Sequence, residues 1–166
     1  MLLASSTSAT SSADCVIKAP GPSSIDDVFA DIPAFTVKQV CPADVDPAFA
    51  GPKFEAEFHA VAAADVAQNG SPVLKAFAGQ LKSGTGDDFV RGFLSDLSTT
   101  AAPNMTVASE PKEIGGRQVT YFKIPSAAEG YAYATGPTVV IAYDVAGASE
   151  GATAEEAFTK ILDRLH

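Results

Sequence analysis

The sequence predicts an α+β fold: a mostly antiparallel sheet of about six strands with helices packed on one face. Three observations carry that expectation. Runs rich in β-branched and aromatic residues fill the second half, among them "RQVTYFKIP", "EGYAYATG" and "TVVIAYDV". Other segments place apolar residues at helical spacing, ending with "TAEEAFTKILDRL". Two-residue turn signals, Asn69-Gly70 and Gly115-Gly116, join neighbouring runs.

Taken in order, "SSIDDVFADIP" predicts a short helix capped by Ser24 and stopped at Pro33. "AFTVKQV" alternates as a strand, with Phe35 and Val37 on one side. "KFEAEFHAVA" also alternates, which places Phe54, Ala56, Phe58 and Ala60 inward and Glu55, Glu57 and His59 toward water. Ser71 and Pro72 then suit the N-cap and first turn of a helix carrying Val73, Leu74, Phe77, Ala78 and Leu81. A second helix follows, with Asp87 as its cap and Phe89, Val90, Phe93, Leu94 and Leu97 as its buried stripe. "NMTVAS" and the three runs named above supply four further strands. The last helix opens on a capping box of Thr153 and Glu156.

"EIGGRQVTYF" raises the question of a phosphate loop. Such a loop needs more glycines, a Lys-Ser/Thr step and a following helix. Here the glycine pair lies between two strand-like runs, so the sequence predicts a hairpin.

The 166 residues suit one domain, and the 46% apolar fraction is enough to build its core. Eleven basic residues against twenty acidic ones give a net charge of −9, with no basic cluster, which opposes nucleic acid binding. No run has the ~18 consecutive apolar residues of a membrane-spanning helix.

Residues 1–14, "MLLASSTSATSSAD", are small and hydroxylated. They resemble the end of a signal peptide, with Ser11 and Ala13 at the small-residue positions before a cleavage site. The mature single domain is then expected over 15–166. A flexible leader on a cytosolic chain and lipid attachment at Cys15 are the alternatives, although Asp14 fits a lipoprotein signal poorly. The two cysteines, Cys15 and Cys41, suggest one disulfide closing a loop of about 26 residues. In the chain-entropy model that closure stabilises the fold by roughly 3–4 kcal/mol.

Candidate sites are sparse. Glu55, Glu57 and His59 would share a strand face, but they stand too far apart for one metal ion without help from other strands. No metal or cofactor is expected. Asp44, Asp46, Asp87 and Asp88 lack the spacing of a calcium loop. Tyr121, Tyr131, Tyr133 and Tyr143 cluster in the C-terminal strands, where they form either an amphipathic ligand or partner surface or ordinary sheet packing. No nucleophile–base motif occurs, so the chain is expected not to be an enzyme. The triplets at Asn69 and Asn104 bear on glycosylation only in a eukaryotic secreted protein.

The pieces "EIGGRQVTYF" and "YAYATG", with the A-E-E-A start of the last helix, resemble a domain recurring in exported bacterial proteins of unknown function. "VFADIPAFTVKQV" echoes an earlier segment of the same domain, so the resemblance spans about 30–145, although Pro137 departs from its pattern. It implies export and no reaction. The expectation is therefore a non-catalytic secreted or cell-envelope domain that binds a protein partner. The alternative is a carrier for a small apolar ligand held between sheet and helices, in a pocket lined by Phe35, Phe54 and Phe58.

Overall fold

In the second half of the chain, tight hairpins leave each strand little choice of neighbour. The computed structural model describes residues 25, 27–46, 49, 51–100, 107–124, 128–144 and 151–165. Strands β4 (Ala108–Ile114), β5 (Arg117–Ile124), β6 (Ala128–Thr135) and β7 (Thr138–Asp144) form an antiparallel meander. The first half adds β1 (Thr36–Val40), β2 (Phe58–Gln68) and β3 (Ser71–Leu81), also antiparallel. β3 pairs with β7, so one seven-stranded sheet runs β1-β2-β3-β7-β6-β5-β4.

Among the described residues four helices complete the fold: α1 (Pro42–Val45), α2 (Pro52–Glu57), α3 (Gly86–Thr100) and α4 (Gly151–Leu162). The α+β class and the antiparallel sheet are as expected, with seven strands rather than about six. Helices cover both faces instead of one. On the first face, α4 lays Ala154, Ala157, Phe158, Ile161 and Leu162 against Ala76, Ala78, Val140 and Ala142. On the second, Val45, Phe54 and Phe93 from α1, α2 and α3 pack with Phe58, Phe77, Val139 and Ile141. Alternate residues of β7 thus feed two cores, and every residue of that strand is buried.

That double burial explains the seventh strand. Ser71–Leu81 is a strand and not the expected helix. A central strand buried on both faces reads as a continuous apolar run without period-two alternation. Pro72 is tolerated because it lies beside the register shift between Val66 and Ala67.

A second correction concerns residues 52–57. They are helical, and the strand begins only at Phe58. Phe54 and Phe58 satisfy i,i+4 spacing as well as alternation; their ring centroids are 4.7 Å apart. They belong to an aromatic cluster in which Phe49 stacks on Phe77 at 4.4 Å and Phe58 meets Phe89 edge-on at 5.1 Å. Gly79 admits that packing, since a Cβ there would lie 2.5 Å from the Phe58 ring.

Smaller shifts occur at helix ends. Thr85 caps α3 in place of Asp87, its Oγ1 accepting from the Asp88 N–H at 3.2 Å. α4 begins at Gly151, two residues before the expected cap Thr153. The described part of the first expected helix forms successive turns, with Val28 and Ala30 donating to the Ile25 and Asp27 carbonyls. Its Ile25, Val28, Phe29 and Ile32 are buried nevertheless.

Cys41 carries no free thiol. Its expected partner Cys15 lies outside the described residues, as do the residue 1–14 leader and Asn104. Among the described residues no helix is long and apolar enough to cross a membrane.

Candidate functional site

The glycine hairpin is structural. Gly115 and Gly116 have φ of 59° and 79°, the left-handed pair that a two-residue turn requires. The turn rests on α4, where a Cβ at Gly115 would approach Thr159 Cγ2 to 2.7 Å. Arg117 is occupied by Asp163 at 2.8 Å and holds the hairpin to the helix end.

The four tyrosines do not share one surface. Tyr121 and Tyr131 oppose each other across β5 and β6, and Tyr133 lies two residues on, all on the α4 side. Tyr143 belongs to the other face. The Tyr121 and Tyr131 rings are 5.8 Å apart, and Tyr131 packs on Phe158 at 5.4 Å. Lys112 sits 5.6 Å from the Tyr121 ring centre and pairs with Glu155 of α4. The Tyr121 hydroxyl donates to Glu129, which, with burial and the nearby Glu110 and Asp144 carboxylates, pushes its pKa up to about 12. Burial, reinforced by Glu155, Asp144 and Glu129, raises Tyr131 as well. On the opposite face Tyr143 donates to Asp46 at 2.6 Å; burial and that bond raise its pKa strongly. Tyr143 thus ties the end of α1 to the sheet, Tyr131 packs the sheet on α4, and the Tyr121 hydroxyl links β5 to β6.

Glu55, Glu57 and His59 do not line one strand face either. The first two stand on α2, while His59 is the second residue of β2. Among the described residues no group of three or more His, Cys, Asp or Glu side chains is arranged to hold a metal ion.

The site that sequence reasoning missed is the β1 end of the sheet. Among the described residues no strand pairs with the outer side of β1. Thr36, Lys38 and Gln39 are exposed. Beside them lies a half-open depression of about 350 Å³, bounded by Thr36, Lys38, Asp65, Pro72, Leu74 and Lys75. The register sets Lys38 opposite Asp65 and Asp65 opposite Lys75, forming a row of alternating charge on the α3 side. Asp65 and Lys75 pair at 3.5 Å. Lys38 makes no ion pair among the described residues.

The other edge, β4, is different. It reads ASEPKEI, with Pro111 in mid-strand and Glu110, Lys112 and Glu113 around it. Proline and charge are the usual means of preventing an edge from pairing. β1, reading TVKQV, has three β-branched residues and one charge. The residues that distinguish the two strands can be read in the sequence, but they acquire meaning only once β1 is known to be an edge.

No protein-family model, no curated protein and no solved structure matches the chain.

Proposed function

We propose that this chain is a non-catalytic, extracytoplasmic binding domain that holds a protein partner along the outer edge of β1. The observation that carries the proposal is the asymmetry of the two sheet edges. β4 is blunted by Pro111 and its flanking charges, whereas β1 keeps an exposed, β-prone strand beside a depression of about 350 Å³. Strand addition gives affinity through main-chain hydrogen bonds and selectivity through alternate side chains. Export is supported by the signal-like residues 1–14 and the absence of a free thiol at Cys41. The Cys15–Cys41 bridge belongs to this proposal; thiol titration of unreduced protein should find no free sulfhydryl.

The deciding experiment places a photo-crosslinking amino acid at Gln39 of β1 or at Glu113 of β4 in the producing organism. A discrete protein adduct from position 39 and none from 113 is expected. Adducts from 113 alone, or from neither position, would overturn the proposal.

A further inference from the structure

We infer that the segment added to β1 carries an aspartate or glutamate in register with Lys38. The inference rests on the edge-binding proposal above and specifies the chemistry of its partner.

Lys38, Asp65 and Lys75 are direct cross-strand neighbours on three successive strands. Opposed side chains in antiparallel pairs stand about 4.5–5.5 Å apart, where opposite charges attract and like charges repel. The two inner members pair with each other: Asp65 Oδ1 is shielded from solvent, accepts no hydrogen bond among the described residues and faces the Lys75 ammonium at 3.5 Å. The outer member, Lys38, is exposed and makes no ion pair among the described residues. Continuing the plus–minus–plus sequence by one strand calls for a carboxylate.

The flanking positions on this face define more of the ligand. Val40 is buried with the second core, so the residue opposite it is apolar. Thr36 is exposed at the mouth of the depression, where a small or hydroxylated residue fits. An antiparallel partner therefore carries, on alternate residues, an apolar side chain, a carboxylate and a small side chain. A second copy of this chain fits less well. Twofold pairing centred on Lys38 would set two ammonium groups opposite each other.

The test uses the full chain and amidated, acetylated nine-residue peptides built on VTDVT, with VTNVT and VTKVT as controls. Fluorescence anisotropy at low ionic strength should show VTDVT binding about threefold to tenfold more tightly than VTKVT, a gap that narrows with added salt. Lys38→Glu should reverse the order, and Lys38→Gln should level it. Because position 38 is exposed, circular dichroism of each variant should match the parent.

Equal binding of the three peptides, or a preference that Lys38→Glu leaves intact, would overturn the inference. If crosslinking from position 39 still traps a protein in that case, the edge-binding proposal survives alone. A parent chain that sediments as a dimer dissociated by Lys38→Glu would likewise replace the acidic partner with a second copy.

Discussion

Tyr143 and Tyr121 are the same residue type put to work on opposite faces of one sheet. Tyr143 is buried among Phe93 and Phe122 while its hydroxyl reaches Asp46 just beyond α1. Replacing it with phenylalanine keeps the ring contacts and removes the bond. Tyr143→Phe should therefore lower stability by about 1–2 kcal/mol in urea denaturation at neutral pH. The pH dependence follows from the direction of the shifts. In the unfolded chain these phenols ionise near pH ~10. The fold raises the values of Tyr121, Tyr131 and Tyr143, so between the two limits the native state holds more protons. That stabilisation is complete below about pH 10 and is lost as the pH rises above it. Phenolate absorbance and circular dichroism recorded together should show these groups ionising as the structure opens, and Tyr143→Phe should weaken the alkaline loss. A sequence scan finds the tyrosines and the strand-like runs that carry them. It does not assign Tyr143 to the opposite face, because its partner Asp46 is far away along the chain.

At the scale of elements, a strand's character depends on its neighbours. Leu74 and Phe77 suit a helical stripe as well as a strand, and only the pairing with β2 and β7 selects the strand. Phe54 and Phe58 present the converse case. Their spacing fits alternation, yet the proline at the start of α2 and the geometry of the aromatic cluster make residues 52–57 helical. The turns were legible because their chemistry is local: Asn69 and Gly70 have φ of 52° and 82°, as the Asn-Gly pair suggests, although the sequence predicts a helix and not a strand after it. Edge protection can be tested at this scale. Pro111→Val restores a donor and a β-branched residue to exposed β4, so the variant should self-associate at concentrations where the parent stays monodisperse. Light scattering on matched samples distinguishes the outcomes.

Across the whole molecule, one sheet serves two cores. β7 contributes Val140 and Ala142 to the α4 side, and Val139, Ile141 and Tyr143 to the α3 side. Loss of packing on either side is therefore felt through the shared strand. Phe158, fully buried on α4, contacts the Tyr131 ring. Phe158→Ala should cost about 3–5 kcal/mol. Circular dichroism and tyrosine fluorescence should still report one coincident transition, since neither helix layer has a core independent of the sheet.

Composition, turn chemistry and β-branched runs were enough to determine an acidic α+β chain with an antiparallel sheet and a closing helix. Those properties depend on residues near one another in sequence. Tertiary structure alone decided that both sheet faces are covered, that Ser71–Leu81 is a strand, and that β1 and β4 lie at the edges. Each depends on pairing between distant segments, which fixes the surfaces a side chain meets, and short-range periodicity does not encode it. The Lys38–Asp65–Lys75 row has the same origin: three residues scattered along the chain become neighbours only when the register of two strand pairs is set.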